Sequence, residues 1–263
     1  MKNWIAKLGW GGAAQARQRV RVSEKNGVRT LHLGSDTAQS SMRINAPCDL
    51  ELAYTRSMMA FLLFSPNPKH VLMVGLGGGS LAKFIYHRMP ATRCTVVEIS
   101  PDVVVAARDY FFTPPQDQRF RLEIADAIEY VPQHPGKADV VMVDGFDENC
   151  QVEALAGVAF YRSCHAALSG TGMLVVNLWG SDRHFDVYRR RIEAIFPAGT
   201  LSLPAKKGRN VVVFAFKRSP GYPTWQELRA RAARLQEVFG LEFPDFVEAL
   251  REMNRCSMQG LSI

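Results

Sequence analysis

The sequence lacks the marks of a secreted or membrane-spanning protein. Its 263 residues contain no uninterrupted run of about eighteen apolar residues, the length typical of a membrane helix. The segment from Met1 to Gly12 carries two lysines and a broken apolar stretch, and no cleavage-site pattern follows it. We therefore expect a cytoplasmic protein without a membrane partner.

Cysteines are few, and their spacing is not that of a disulfide framework or a metal site. The five cysteines are an odd number, and no two form a Cys-x-x-Cys pair or are flanked by histidines at ligand distances. They are Cys48, Cys94, Cys150, Cys164 and Cys256. This pattern predicts reduced thiols and no bound metal.

The chain also lacks one concentrated patch of basic residues, although its net charge is +7. Such an excess can favour nucleic acids, because phosphate neutralisation by Lys and Arg dominates their affinity. Here the excess lies in separate short groups at residues 17–21, 189–191, 206–209 and 229–234. Groups scattered in this way are typical of solvated faces, so we predict no nucleic-acid partner.

Apolar residues make up 47% of the chain and charged residues 22%, which is ordinary globular usage. Between Val20 and Leu33, apolar alternation on both sides of Asn26-Gly27 predicts a hairpin. We therefore expect a small antiparallel β-hairpin domain in residues 1–48, and a helix from about Leu50 to Phe64.

After the turn at residues 65–68, short apolar runs alternate with helical stretches, as in a Rossmann-like, doubly wound, mostly parallel sheet. The seven predicted strands are Val71–Val74, Thr95–Glu98, Phe120–Ile124, Asp139–Val143, Gly172–Leu178, Thr200–Leu203 and Val211–Phe216. We assign residues 49–220 to this α/β domain. Residues 221–263 form a helical extension, with one helical stretch from Thr224 to Asn254.

A glycine-rich loop joins the first of these strands to a predicted helix. Gly75, Gly77, Gly78 and Gly79 occupy four of five positions, and glycine allows positive φ and close approach of a ligand to a helix N-terminus. The alternative is a tight strand-to-helix turn without a ligand. Ser80 stands where the full dinucleotide fingerprint has glycine, so the loop matches a NAD site imperfectly.

Polar residues follow the next two strands. Glu98 ends the second strand, where a carboxylate can accept hydrogen bonds from ribose hydroxyls. Asp126 and Ala127 follow the third strand, where a carboxylate and a backbone N–H can reach an adenine edge. An ordinary helix N-cap is the alternative for Asp126.

Two carboxylates follow the fourth strand, above the same crevice. Asp144 and Asp147 are suited to holding and deprotonating an amine, and a polar turn is the alternative, above all for Asp147. An ordinary pKa of about 3.9 would leave Asp144 ionised at neutral pH.

The order of these motifs, from about Val20 to Phe216, resembles that of the spermidine synthase family. The matching residues are Gln39, Tyr54, Pro66 to Leu72, Gly77-Gly78-Gly79, Val97-Glu98-Ile99, Asp126-Ala127 and Asp144-x-x-Asp147. Members of that family transfer an aminopropyl group from decarboxylated S-adenosylmethionine to a diamine and release methylthioadenosine.

The resemblance implies a role for each matching residue. Gln39 would lie near the nucleoside, Asp144 would be the base, Tyr54 would assist it by hydrogen bonding, and Asp147 would anchor the amine. Decarboxylated S-adenosylmethionine, or S-adenosylmethionine, would be a co-substrate, and no cofactor would be tightly bound. The chain is also expected to be able to form a homodimer.

Three departures from the family pattern lie on the amine side. Ser80 replaces an aspartate that helps bind the donor's aminopropyl nitrogen, and Thr55-Arg56 replaces His-Glu. Glu148-Asn149-Cys150 replaces a Pro-x-Gly-Pro gate segment. Ser80 and Thr55-Arg56 take away acids that a cationic substrate would need, and Arg56 near the pocket would repel a cation. We therefore predict that ordinary diamines are poor acceptors.

Other functions fit part of the pattern. An S-adenosylmethionine-dependent methyltransferase would use the same sheet, glycine loop and Glu98. A non-catalytic nucleoside-binding protein would explain the replaced family residues. A NAD oxidoreductase is disfavoured by Ser80.

Overall fold

The computed structural model describes residues 3–8, 20–145, 152–206 and 208–263. These residues form two β-sheets, one of four strands and one of seven. The expectation for Asp147 falls outside the described residues, and so does the replaced gate segment at 148–150.

The N-terminal sheet is antiparallel throughout. Its strands are β1 (Asn3–Leu8), β2 (Val20–Lys25), β3 (Val28–Leu33) and β4 (Ser40–Arg43), paired in that order. Asn26 and Gly27 both have positive φ, 52° and 72°, as the tight turn between β2 and β3 requires. The predicted hairpin is confirmed, whereas β1 was not anticipated.

The main sheet has the predicted seven strands and is mostly parallel. They are β5 (His70–Val74), β6 (Arg93–Glu98), β7 (Phe120–Ile124), β8 (Ala138–Val143), β9 (Leu168–Trp179), β10 (Thr200–Pro204) and β11 (Asn210–Phe216). Their order is β10-β11-β9-β8-β5-β6-β7. The run from β9 to β7 is parallel, and β11 and β10 are antiparallel to their neighbours.

Eight α-helices are described. They are α1 (Ala53–Met58), α2 (Ser80–Arg88), α3 (Pro101–Phe111), α4 (Ala127–Tyr130), α5 (Val158–Ala167), α6 (Phe185–Ile195), α7 (Trp225–Phe239) and α8 (Phe243–Met253). The helix predicted from Leu50 continues from α1 as a 3₁₀ helix, Met59–Leu63. The single C-terminal stretch expected from the sequence is two helices, because Gly240 has a φ of 69° and ends α7.

The core consists of a layer of apolar side chains on each face of the main sheet. Alternate strand residues point to opposite faces, so Met73 and Met142 join one layer and Val74 and Val143 join the other. The first layer packs against α2, α3, α7, α8 and the N-terminal sheet, and the second packs against α5 and α6. Burial on both faces explains the continuous apolar runs of the parallel strands.

Two cationic side chains, one in the N-terminal sheet and one in α2, donate hydrogen bonds to the end of α3. Arg29 donates from its guanidinium to the carbonyl of Tyr110 at 2.6 Å, and the Lys83 ammonium donates to the carbonyl of Phe111 at 2.6 Å. Cations are favoured at a helix C-terminus because the carbonyls there carry partial negative charge. Burial nevertheless lowers the pKa of Lys83 to about 8. The Lys83 ammonium also contacts the sulfur of Met42 in β4 at 3.0 Å, so these contacts join the N-terminal sheet to α2 and α3.

Cys48, Cys94, Cys164 and Cys256 carry free thiols. Within the described ranges, no three His, Cys, Asp or Glu side chains come together as metal ligands would. In the same part of the chain, no helix has both the length and the apolar character needed to span a membrane.

Candidate active site

A cavity of about 650 Å³ opens at the carboxyl edge of the main sheet, under the N-terminal sheet. Its wall contains the predicted site residues Gln39, Tyr54, Gly75, Gly77, Ser80, Glu98, Asp126, Ala127 and Asp144. Side chains that the sequence places up to 105 positions apart, from Gln39 to Asp144, therefore meet at one edge of the sheet, as expected for parallel strands.

Two of the predicted loop glycines do not line the cavity. A Cβ on Gly78 would collide with the Ser40 hydroxyl and the Phe111 ring, and a Cβ on Gly79 would lie 2.8 Å from the Thr113 hydroxyl. These two glycines serve close packing behind the loop, and Gly79 also begins α2 with a φ of 69°. The prediction that Gly78 and Gly79 contact the nucleoside is therefore not supported by their position.

Gly75 has a different reason to be glycine. Its φ is 95°, and a Cβ there would overlap the backbone carbonyl of Asp144. The Gly75 N–H donates to the Val97 carbonyl in β6, and the Asp144 N–H donates to the Val74 carbonyl in β5, both at 2.9 Å. This close approach brings the loop beside the end of β8.

Glu98 is buried and is held by backbone N–H groups. One carboxylate oxygen accepts from the N–H of Leu76 at 2.8 Å, and the other accepts from the N–H of Ser100 at 2.9 Å. Burial raises the pKa of Glu98, and these backbone hydrogen bonds oppose that shift. Glu98 also lines the cavity, where its carboxylate can accept hydrogen bonds from hydroxyl groups of a ligand.

Asp126 serves as a helix cap and also lines the cavity. Its Oδ1 accepts from the N–H of Ile128 at 2.8 Å, which caps the start of α4. Asp126 and Ala127 both lie in the cavity wall. The N-cap reading from the sequence is therefore correct, and it leaves Oδ2 available to a ligand.

Asp144 lies at the end of β8 between two side-chain donors. Tyr54 donates its hydroxyl to Oδ2 at 3.0 Å, and Asn177 donates its amide to Oδ1 at 2.9 Å. Burial raises the pKa of Asp144, while the two hydrogen bonds act to lower it. The pKa of Asp144 therefore lies above the ordinary value used in the sequence argument, which makes Asp144 a stronger base than a solvated aspartate.

Tyr54 is held in its protonated form. Burial, followed by the nearby negative charge of Asp144, raises the Tyr54 pKa well above its usual range. Its hydroxyl also lies 3.4 Å from the backbone carbonyl of Gln39. Tyr54 therefore acts as a donor to Asp144 and links the N-terminal sheet to it.

Asn177, which is 1% exposed, is not among the site residues predicted from the sequence. It lies in β9 within the apolar run 173–178, and its Oδ1 accepts from the Asn210 amide at 3.0 Å. A buried amide needs hydrogen-bond partners. A lone asparagine in a buried strand, near the edge where ligands bind, is a signal that could have identified it.

Ser80 forms part of an uncharged patch of the wall. Its hydroxyl lies 3.3 Å from that of Ser40, and both side chains are buried. The charged residues among the described lining are Glu98, Asp126 and Asp144, and no Lys, Arg or His lines that part of the cavity. The described wall therefore favours a cationic ligand.

Arg56 does not face this cavity. Its Nε donates to Glu242 at 2.8 Å, and its Nη1 donates to the backbone carbonyls of Leu50 and Glu51 at 3.0 and 2.8 Å. The neighbouring Thr55 lines the cavity, whereas Arg56 is absent from the lining. The expected repulsion of a cationic acceptor by Arg56 is therefore wrong, because Glu242 neutralises its charge.

Comparisons with known proteins agree with this geometry. A family model for the spermine/spermidine synthase domain matches residues 51–183. A polyamine aminopropyltransferase from Chromobacterium violaceum is 42% identical over 243 residues, covering 92% of this chain and 93% of the relative. One from Neisseria meningitidis is 40% identical, covering 89% and 90%.

Solved structures share the fold. Spermidine synthase from Thermotoga maritima superposes with a TM-score of 0.72 at 20% identity, covering 94% of this chain and 84% of that one. Human methyltransferase-like protein 13, in complex with SAH, gives a TM-score of 0.65 at 25% identity, covering 72% and 92%. The family model and the full-length relatives together establish that the chain belongs to the spermine/spermidine synthase family.

Proposed function

We propose that this protein transfers an aminopropyl group from decarboxylated S-adenosylmethionine to an amine and releases methylthioadenosine. The observation that carries the proposal is a cavity whose described wall has three carboxylates and no basic side chain, with Asp144 held between two donors. Both substrates are cationic. The named activity of the relatives from Chromobacterium violaceum and Neisseria meningitidis supports the same reaction.

The nucleoside would lie along the glycine loop. Glu98 would accept hydrogen bonds from the ribose hydroxyls, and Asp126 with Ala127 would contact the adenine edge. Gln39 also lines the cavity and would lie near the nucleoside. Ser80 would contact the aminopropyl chain through a neutral hydroxyl.

The chemistry is a displacement at the carbon bound to the sulfonium. The amine nitrogen forms the new C–N bond while the C–S bond breaks. The electron pair of the C–S bond goes to sulfur, which becomes a neutral thioether. The proton lost by the amine goes to Asp144. A general base typically contributes about 10² to 10⁴-fold, and orientation of the reactants contributes several kcal/mol.

The acceptor would be an amine bound beside Asp144, with Asp147 as its second anchor. Glu242 neutralises Arg56, so the expected repulsion no longer argues against diamine acceptors. The remaining grounds for expecting poor diamine acceptors are Ser80, the His-Glu pair replaced at 55–56 and the gate segment replaced at 148–150. That expectation stays a prediction from the sequence. So do the cytoplasmic location, the homodimer and the division into three domains.

A second candidate is methyl transfer from S-adenosylmethionine. The observation that favours it is the shared fold with human methyltransferase-like protein 13 at 25% identity. The same nucleoside contacts would serve that reaction, whereas a base held by two donors is not needed for methyl transfer to an already neutral nucleophile.

The test is to identify the nucleoside product. Purified protein is incubated with decarboxylated S-adenosylmethionine or S-adenosylmethionine, with putrescine and with monoamines of similar length, and the nucleosides are separated by mass spectrometry. We expect methylthioadenosine from the decarboxylated donor, at a rate that requires the amine. S-adenosylhomocysteine from S-adenosylmethionine would support the methyltransferase, and methylthioadenosine binding without turnover would support a non-catalytic protein.

A further inference from the structure

A chain of hydrogen bonds runs from Asn210 to the carboxylate of Asp144. The Asn210 amide nitrogen donates to the Asn177 oxygen at 3.0 Å, and the Asn177 nitrogen donates to Asp144 at 2.9 Å. The hydroxyl of Tyr54 donates to the other oxygen of Asp144 at 3.0 Å. All four side chains line the cavity.

Donor and acceptor chemistry fixes the direction of this chain. An ionised carboxylate can only accept hydrogen bonds, so Asn177 must present its nitrogen to Asp144. Its oxygen then faces away and needs a donor, which the Asn210 amide supplies. Without that donor, Asn177 is free to turn its oxygen toward Asp144, where it would stabilise the protonated acid instead of the base.

The pairing of the strands places the two asparagines. In the antiparallel ladder Asn177 is opposite Val212, and Asn210 is opposite Trp179. Asn210 and Asn177 are therefore diagonal neighbours on the same face of the sheet, within reach of each other's side chains. Because Asn177 is buried, losing Asn210 would leave its oxygen with no readily available partner.

We propose that Asn210 is a positioning residue that fixes which edge of the Asn177 amide faces Asp144, and thereby keeps Asp144 in its proton-accepting form. The inference rests on the proposed function only in the role given to Asp144. Asn210 acts through Asn177 and need not touch the substrates.

Within the part of the chain that the structure describes, few groups bear on the ionisation of Asp144. Tyr54 from α1 and Asn177 from β9 contact its carboxylate directly. Glu98 and Asp126 are the other ionisable groups in the described cavity wall, and both are acids. A change in the protonation of Asp144 in an Asn210 variant can therefore be followed through this hydrogen-bond chain.

The main experiment compares Asn210→Asp and Asn210→Leu with wild type. A carboxylate at 210 can only accept, so it would draw the nitrogen of Asn177 toward itself and turn the oxygen to Asp144. We expect the acidic limb of the pH profile of kcat to move upward by about one unit, roughly a tenfold loss of kcat below it. Asn210→Leu should move the limb in the same direction by about half as much, although it adds no charge.

The matched control is Asn67→Asp, which adds the same charge on an exposed loop before β5, at the opposite edge of the sheet. It should leave the limb unchanged. Methylthioadenosine affinity should stay within about twofold of wild type in both Asn210 variants, which checks that they fold. A shift with Asn210→Asp and none with Asn210→Leu would reduce the effect to added charge and overturn the proposal.

A second readout does not depend on turnover. The infrared carbonyl stretch of a protonated carboxyl group is followed against pH and assigned to Asp144 by its loss in Asp144→Asn. If this titration moves upward in both Asn210 variants while no variant transfers an aminopropyl group, the positioning role stands and the proposed function fails. If the titration is unchanged in both variants, the positioning role is wrong whatever the activity.

Discussion

Glu98 ends β6 and Asp144 directly follows β8, the two strands that flank β5, yet the two carboxylates are held in different ways. Glu98 accepts from the backbone N–H groups of Leu76 and Ser100, whereas Asp144 accepts from the side chains of Tyr54 and Asn177. Burial raises the pKa of both. The difference lies in the donors.

Backbone donors belong to the fold, so a side-chain substitution cannot remove them, and the carboxylate that they hold has a fixed position. Side-chain donors can be strengthened or weakened one at a time, which allows the basicity of their acceptor to be adjusted. From this comparison we infer that Glu98 binds the nucleoside and that Asp144 exchanges a proton. The predictions below test this division.

The largest expected effect is on turnover by Asp144→Asn. Asparagine keeps the shape and removes the basic oxygen, so kcat should fall about 10²-fold or more. Methylthioadenosine affinity, measured by calorimetry, should change little. If Asp144→Asn keeps wild-type turnover with an identified acceptor, the base assignment is wrong and a methyltransferase becomes the better description.

Glu98→Ala should weaken methylthioadenosine binding by about 1.5 to 3 kcal/mol, the scale of hydrogen bonds to a charged group. Glu129→Ala, which removes an exposed carboxylate outside the cavity lining, is the control and should bind as wild type does. If a calorimetric titration shows that the Glu98 variant binds methylthioadenosine as tightly as wild type does, the assignment of Glu98 to the binding site is wrong.

Tyr54→Phe sharpens the comparison through pH. In the wild type, the hydrogen bond from Tyr54 lowers the pKa of Asp144. Removing it should raise that pKa further and move the acidic limb of the pH profile of kcat to higher pH. At a fixed pH below the limb, kcat should fall about 2- to 10-fold, the scale of one hydrogen bond. Tyr86→Phe is the control, because that hydroxyl contacts Asp117 away from the cavity. An acidic limb at lower pH than in wild type would contradict the account.

The smallest effect is expected from Ser80→Asp, which adds a carboxylate to the uncharged patch at the start of α2. Decarboxylated S-adenosylmethionine should bind tighter by about 0.3 to 1 kcal/mol, and S-adenosylmethionine should bind more weakly because its carboxylate is repelled. Competitive titration of the two donors measures the change in preference. Ser163→Asp, on an exposed hydroxyl of α5, should leave it unchanged. A loss of affinity for the decarboxylated donor would show that its chain lies elsewhere.

The parts of the site that could be predicted from the sequence depend on local pattern. The glycine loop follows an apolar strand directly, and Glu98 and Asp144 end apolar strands, so chain order alone brings them to one edge of the sheet. A glycine run does not show which of its members face the cavity and which, like Gly78 and Gly79, pack against Ser40 or Thr113.

What could not be predicted depends on contacts between distant positions. Arg56 pairs with Glu242 across 186 positions, and that partner removes the charge on which the expected repulsion rested. Asn177 and Asn210 meet only because β9 and β11 pair antiparallel in one register. Neither partner choice is encoded in a local motif.

The most direct test of the division between the two carboxylates is the double variant Glu98→Ala with Asp144→Asn, assayed for kcat/KM. If one residue binds and the other exchanges the proton, the losses in transition-state free energy should add to within about 0.5 kcal/mol of the sum of the single variants. A double variant no worse than the poorer single variant would mean that Glu98 and Asp144 act as one unit, and would contradict the account.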